Sequence, residues 1–495
     1  MKLTVIGGGS TYTPELVDGF ARLRDQLPID ELWLVDPDPV RRELVGGVAR
    51  RMFAHAGHPG TIHVTDDVVA GVTDADAVMF QLRIGGQAAR QQDETWPHEA
   101  CCIGQETTGP GGFAKALRTV PVVLEYAELV RKHAKPDAWI VDFTNPVGIV
   151  TRALLEAGHR AVGLCNVAIG FQRRFAKEFG VAPDHVRLDH VGLNHLTWER
   201  GVHVTGADGV ERDVMADLLA ESDGALDRTA DSVHMHPDLL RLQHAIPSYY
   251  LRYFYSHDIV LQEQLHEPTR AEAVMETERA LLAKYADESV VTKPAELEQR
   301  GGAYYSEAAI DVLSSILGDR GDVQVLNVRN DGTFPFLPDD HVIEVPSRVT
   351  RQAITPLPVS PLAPDMVGLV SHVAGYERLA LDAAVHGGRD RVLRAMWAHP
   401  LVGQVDKAEK LTDLLLADSR KRLGAKGIDI EFSDAAVDWI AEHGHQPEFG
   451  ARPLRRSIQR AVDDRIADLL LNEVLLDGGK VSVQVTDDQL DLLVS

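Results

Sequence analysis

Cys165 stands in AVGLCNVAIG at 161–170, directly before Asn166, and His195 follows in GLNHL. A thiolate and a neutral imidazole are good ligands for a borderline divalent transition metal, with oxygens completing the shell and open positions left for a substrate. A separation of thirty residues is no metal signature in itself. Each residue also has an ordinary reading: a cysteine in VGLCNV as a small buried hydrophobe, a lone histidine as a hydrogen-bonded loop residue. The chain opens, however, with VIGGGSTYTPELV, a nucleotide-type glycine turn, and turn and pair together point to redox chemistry assisted by a metal. A third cluster, IPSYYLRYFY at 246–255, crowds tyrosines around Arg252. It reads as an aromatic core helix or, beside a metal, as the source of a tyrosine with a lowered pKa that acts as a general base.

These groups need a scaffold. KLTVI at 2–6 predicts a buried strand, GGGS a turn, and Pro14 the first turn of a helix running through Leu16, Val17 and Phe20. A second strand, ELWLVD at 31–36, ends in Asp36, near the distance expected of a carboxylate that accepts hydrogen bonds from an adenosine ribose, or of a residue that merely starts the DPDP turn. Gly7 and Gly9 match the dinucleotide fingerprint, whereas Tyr12 sits where a third glycine is usual, which predicts looser helix–strand packing. DAVMFQL at 76–82, a helix over 117–134 and AWIVDF at 138–143 continue the alternation. The pattern predicts a doubly wound, Rossmann-like parallel sheet with ligands at the carboxyl ends of its strands. Loops at those ends carry Arg83 and Arg90 (RIGGQAARQQDE), Glu106 and Arg118 (GQETTGPGGFAKALRT) and Asn145 (TNPVG).

Composition narrows the partners. The 495 residues are 44% hydrophobic, which suits a globular protein of two or three domains. Acidic residues number 74 against 50 basic ones, and the net charge of −24 repels phosphate backbones and anionic lipid, arguing against nucleic acid and membrane. Three cysteines, two of them adjacent, make no disulfide framework, and the opening lacks a secretory apolar region. A reducing cytoplasm is expected, and no run of about 18 apolar residues suggests a membrane span.

VIGGGSTYTP, RIGG, GQETTGPGG, FTNPVG, CNVAIG, GLNHL, IPSYYLRYFY and the late HPLVGQ occur in the order and at about the spacing of glycoside hydrolase family 4, and the chain resembles that family over roughly residues 1–415. The CN dipeptide at 165–166 resembles the 6-phospho-β-glucosidase branch. The resemblance implies a lactate/malate dehydrogenase-like sheet with an α+β catalytic domain, and NAD and a divalent metal, usually manganese, as cofactors. It also implies a glycosidase reaction without paired catalytic carboxylates. Hydride leaves C3 of the sugar, the C2 proton becomes acidic, the aglycone is eliminated, water adds, and C3 is reduced again, giving glucose 6-phosphate. Position by position, Cys165 and His195 resemble the metal ligands, and Tyr250 the base at C2, with Tyr249 beside it as the alternative. Asn166 resembles a group on the sugar hydroxyls, Gly7, Gly9, Ser10, Asp36 and Thr144 resemble the NAD contacts, and Arg90, Asn145 and Arg270 resemble the holders of the 6-phosphate. Arg83 and Glu106 are further substrate-binding candidates. Arginines suit a dianion inside so acidic a protein, because a local guanidinium fork offsets a repulsive global field.

From about Arg420 the chain resembles something else, the small C-terminal subdomain of a Clp-type AAA+ chaperone, through SDAAVDWIAEHG and PEFGARPLRRSIQRAV. Ser433 is placed to cap a helix carrying Ala435, Val437, Trp439 and Ile440, a second helix would follow with Leu454, Ile458, Val462 and Ile466, and KVSVQV and QLDLLV read as two strands. Arg452 resembles a nucleotide-sensing arginine, but no G-x-x-x-x-G-K-[ST] loop occurs in the chain, so ATP hydrolysis is not expected. The expected division is a NAD-binding domain over 1–165, a metal- and substrate-binding α+β domain over 166–418 and the small Clp-like α+β unit over 419–495, in a homo-oligomer acting on a phosphorylated β-glucoside. Two rivals remain at this point: an ordinary lactate- or malate-type dehydrogenase, and a scaffold protein acting through the tail.

Overall fold

The computed structural model describes residues 1–297 and 304–425 and, within the C-terminal segment, 429–433, 435–436, 439, 480–486 and 489–494. Six strands, β1 (Lys2–Ile6), β2 (Glu31–Val35), β3 (Thr61–Thr65), β4 (Ala77–Phe80), β5 (Trp139–Asp142) and β6 (Ala161–Gly163), pair in parallel. A hairpin follows, β7 (Val186–Leu193) with β8 (Leu196–Thr205), extended by β9 (Glu211–Asp213) and β10 (Ile246–Pro247). The chain then returns as β11 (Val323–Arg329), β12 (Val342–Val349) and β13 (Ile354–Pro356), which add antiparallel to the edge of β6. The resulting nine-stranded sheet has the order β13-β12-β11-β6-β5-β4-β1-β2-β3.

The predicted Rossmann-like sheet is present, and it does not stop at residue 165: three of its strands come from 323–356. Its central strands are buried on both faces, as near-continuous apolar runs such as AVMF and WIVD require. The helix Thr13–Arg22 starts with Pro14 in its first turn, as expected, and buries Leu16, Val17 and Phe20 without residual exposure. By transfer arithmetic each such side chain contributes roughly 1.5–3 kcal/mol. The close approach missing at Tyr12 is made elsewhere: a Cβ on Gly8 would stand 2.7 Å from Leu34 Cα.

The helix expected over 117–134 begins earlier, at Gly109, and runs to His133. GPGG looks like a loop in sequence, but Pro110 occupies the first turn, where its missing N–H is harmless, and the two following glycines permit contact. A Cβ on Gly111 would lie 2.1 Å from the Asp93 carbonyl oxygen, and one on Gly112 2.4 Å from the Thr107 carbonyl carbon. The tyrosine-rich segment is not one helix either. It is β10, a 3-10 turn Tyr249–Leu251 and a short helix Arg252–Tyr255.

In the C-terminal segment KVSVQV and QLDLLV form the expected strands, β15 (Lys480–Thr486) and β16 (Gln489–Val494), with β14 (Asp429–Phe432) parallel to β15. Ser433 Oγ accepts the Ala436 N–H at 3.2 Å, the expected cap. Val437, Ile440, Arg452 and the second helix lie outside the described residues. Among the described residues no helix is long and apolar enough to cross a membrane.

Candidate active site

A cleft of about 770 Å³ opens along the carboxyl ends of the parallel strands. Five successive strand ends feed it: Gly7, Gly9 and Ser10 after β1, Asp36 after β2, Arg83 after β4, Asn145 after β5 and Asn166 after β6. Arg90, Glu106, Tyr249, Tyr250 and Arg270 complete the wall. Of the residues singled out from sequence, Arg118, Thr144, Cys165 and His195 do not line the open space; Arg118 pairs instead with Asp93 at 2.5 Å. Thr144 is fully buried, its hydroxyl accepting the Leu82 N–H at 3.1 Å, so it pegs two strand ends together.

The glycine turn and Asp36 are fastened to each other. Asp36 Oδ2 accepts the Gly9 N–H and Oδ1 the Asp38 N–H, both at 3.0 Å. Burial raises the Asp36 carboxyl above its usual range, and these two N–H groups partly offset it. A Cβ on Gly9 would stand 2.6 Å from Asp36 Cγ, and one on Gly7, whose φ is +87°, 2.6 Å from the Gln81 carbonyl oxygen. A concavity that only glycine leaves open, rimmed by a carboxylate, fits a dinucleotide.

Cys165 and His195 lie just beneath the cleft floor, each 6% exposed, and both approach Tyr250. The Tyr250 ring stacks on His195 at 3.6 Å between centroids and 6° between planes, and the Cys165 sulfur is close enough to raise its phenol. Burial is the main reason that phenol lies well above its ordinary value. The lowered pKa expected of a basic tyrosine is therefore not a property of the protein alone; it needs a cation at this floor. His195 forms the turn between β7 and β8 with φ at +61°, a left-handed conformation uncommon for a histidine.

Its tautomer follows from the neighbours. Thr107 Oγ1 donates to Gln105 Oε1 at 2.8 Å, so toward His195 Nδ1, 2.9 Å away, the same oxygen acts as acceptor. Nδ1 then carries the proton and Nε2 keeps a free lone pair. Burial pushes His195 down to about 4, which keeps the imidazole neutral. Burial pushes the Cys165 thiol up, as does the Glu344 charge, while the N–H groups of Val167 and Asn166 and the Asn194 side chain favour its thiolate. A bare nitrogen and a donor-lined sulfur fit a divalent transition metal. Among the described residues no third histidine, cysteine or carboxylate joins them, so the rest of a shell would fall to substrate and water.

The opposite wall is electrostatic. Glu106 accepts Lys115 Nζ at 2.7 Å, Arg90 Nη2 at 3.2 Å and, closer still, Arg83 Nη1. Burial alone would raise this carboxyl, but Arg83, Lys115 and Arg90 hold it well below the usual range. Lys115 is itself pushed down to about 8 by burial. Arg90 Nε also pairs with Glu94 at 2.7 Å, and Glu94 takes the Ala271 N–H at 2.7 Å, tying the start of the helix Arg270–Tyr285 to this wall. Three cations against two carboxylates leave an excess positive charge in an acidic protein. Sequence reading missed Lys115 and Glu94, which sit among helical residues with no local pattern to mark them. It also missed Glu278, whose two oxygens take Gln87 at 2.9 Å and Arg41 at 3.0 Å. Tyr249 is 39% exposed at the mouth, its hydroxyl held by Arg252 Nη1 at 2.8 Å.

Comparison with known proteins agrees with this geometry. The family 4 glycosyl hydrolase model matches residues 2–181 and the model of that family's C-terminal domain residues 190–402. The C-terminal, D2-small domain of ClpB matches 404–483, starting upstream of the residue near 420 expected from sequence. A "Probable 6-phospho-beta-glucosidase" of Bacillus subtilis is 40% identical over 424 residues, 84% of this chain and 96% of that one. The 6-phospho-beta-glucosidase BglT of Thermotoga maritima is 36% identical over 424 residues, 85% of this chain and 99% of the relative. The solved structure of the Thermotoga maritima 6-phospho-beta glucosidase with manganese, NAD+ and glucose-6-phosphate superposes with a TM-score of 0.77 at 33% identity, covering 85% of this chain and 98% of that one. With both halves matched in sequence and fold, this chain belongs to glycosyl hydrolase family 4.

Proposed function

We propose that the cleft hydrolyses 6-phospho-β-glucosides to glucose 6-phosphate and a free aglycone, using NAD+ and a divalent metal, manganese in the first instance. The relatives' activities support the substrate class, and the carrying observation is the floor of the cleft, where Tyr250 stacks on His195 beside Cys165. The dinucleotide would rest on Gly7, Gly9, Ser10 and Asp36, and the metal on Cys165 and His195 Nε2. Bound there, they would supply a reversible hydride acceptor, a Lewis acid for the sugar oxygens and the positive charge that brings the Tyr250 phenol into a working range.

The chain's own groups do the rest. Tyr250 Oη takes the proton from C2 of the sugar and is held in place by its stack on His195. Asn166, which lines the cleft directly after Cys165 in the chain, orients the sugar hydroxyls. Arg90, Arg83 and Lys115 attract the 6-phosphate, with Asn145 and Arg270 lining the same cleft and Glu106 holding the cations in position until the dianion arrives. In this reading residues 1–165 carry the dinucleotide, Cys165 and the phosphate-facing Arg83, Arg90, Lys115 and Asn145, residues 166–418 supply Asn166, His195, Tyr250 and Arg270, and 419–495 form an appendage dispensable for turnover. The three cysteines are free among the described residues, and the net charge stays at −24. Free thiols suit a reducing cytoplasm, and the negative charge suits a protein that leaves nucleic acid alone. Cleavage of an aryl 6-phospho-β-glucoside, with NAD+ and Mn2+ each added or withheld, tests the proposal: release of the phenol must require both. A lactate- or malate-type dehydrogenase would instead release NADH in bulk and survive thorough chelation.

A further inference from the structure

Behind the Cys165–His195 floor lies a polar chain that the reaction does not use. His190, fully buried on β7, places Nδ1 2.6 Å from Glu199 Oε1 and Nε2 3.1 Å from Glu344 Oε1. The other Glu344 oxygen accepts the side-chain amides of Asn194 at 2.8 Å and Asn327 at 3.0 Å. Three donors on one buried carboxylate are enough to keep it ionised: burial alone would raise Glu344, but His190 and the amide of Asn194 bring it below the usual range. Burial would likewise depress His190, yet Glu199 and Glu344 win and push it up to about 10. Glu344 is therefore a charged carboxylate facing an imidazolium, while burial raises Glu199 on the other side of the ring.

Asn194 connects that charge to the cleft. It directly precedes His195 in the β7–β8 turn, and its side-chain amide donates to Glu344 Oε2 at 2.8 Å. One residue thus joins the backbone of the strained histidine to a buried carboxylate. We infer that Asn194 and Glu344 set the position of His195 in the Cys165–His195 pair, with Glu344 as the positioning residue that acts on the imidazole ligand of a divalent metal through Asn194. The inference rests on the metal-pair reading above. Groups that orient metal ligands in this way typically change metal affinity by about 10–100-fold when altered.

The test is Mn2+ binding to the full chain, followed by electron paramagnetic resonance, for the wild type, Glu344→Gln, Asn194→Ala and Cys165→Ser, with NAD+ affinity measured in parallel. Expected is a Kd for Mn2+ raised about 10–100-fold in both Glu344→Gln and Asn194→Ala, with NAD+ affinity within about twofold of wild type. In Co2+-loaded samples the thiolate-to-cobalt absorption of both variants should shift or weaken. Asn194→Ala leaves His190, Glu199, Glu344 and Asn327 intact, so it decides the matter if Glu344→Gln fails to fold. Wild-type Mn2+ affinity in Asn194→Ala overturns the inference, and so does an equal loss of NAD+ affinity, which would mark general damage. Wild-type Mn2+ affinity in Cys165→Ser would instead remove the metal-pair reading itself.

Discussion

Replacing Tyr250 by phenylalanine removes one oxygen and leaves the stack on His195, at 3.6 Å and 6°, in place. The pocket keeps its shape and loses only the group proposed to take the proton. Loss of a positioned general base costs about 10²–10⁴ in rate, roughly 3–5 kcal/mol of barrier. Tyr249→Phe is the matched control, since it removes a hydroxyl one residue away. Its oxygen is held by Arg252 Nη1 at 2.8 Å on a ring 39% exposed, and losing such a bond costs about 1 kcal/mol or less. The two variants should therefore differ by at least tenfold in kcat on an aryl 6-phospho-β-glucoside, with Mn2+ and NAD+ affinities unchanged in both. Exchange of the C2 hydrogen with heavy water, followed by mass spectrometry of the released glucose 6-phosphate, isolates the step from aglycone departure. Equal losses in the two variants, or C2 exchange at the wild-type rate in Tyr250→Phe, would refute the assignment.

Gly9→Ala places a Cβ 2.6 Å from Asp36 Cγ, so NAD+ affinity by fluorescence titration should fall by more than tenfold while Mn2+ binding holds; unchanged NAD+ binding would remove the dinucleotide from this turn. Asp142 is fully buried, with Oδ2 unpartnered, and burial pushes it up to about 8. A carboxyl raised in the folded state contributes stability that is complete below its unfolded value near 3.8 and is lost as pH rises toward 8. Asp142→Asn should accordingly flatten the fall in denaturation midpoint between about pH 4 and 8, and an unchanged slope would count against the assigned direction. Truncation after Ala425 retains the helix Val405–Ala425, whose Ala408, Leu411 and Thr412 are buried, and should leave kcat within about twofold; loss of turnover would give the tail a catalytic part.

Local patterns made the site partly legible. Gly7, Gly9 and Asp36 announce themselves because each closes a recognisable strand at the spacing of a dinucleotide fingerprint, and Asp36 Oδ2 indeed accepts the Gly9 N–H at 3.0 Å. Cys165 and His195 do not: they come to one floor against Tyr250 through tertiary packing that no spacing records. The charged wall shows the same limit. Arg83 and Arg90 stood out as loop arginines, but their partner Lys115 is hidden in a helix whose start, GPGG, imitates a loop. β11 to β13 were illegible as parts of the Rossmann-like sheet because antiparallel addition at an edge leaves no alternation of strand and helix to read. Recognising the resemblance to a family carried more of the site than any single motif, since it supplied long-range pairings that local chemistry leaves open.

Glu106 and Thr107 are adjacent in the chain, yet one gathers the cations and the other orients the His195 ring. The glycines of the helix Gly109–His133 clamp this pair of residues from below, since any side chain at Gly112 would collide with Thr107. In the proposed reading a single peptide unit then acts as a ruler between the cations for the 6-phosphate and the floor at His195. On that reading a sugar with its phosphate at another distance from the reacting carbon would reach one station and miss the other.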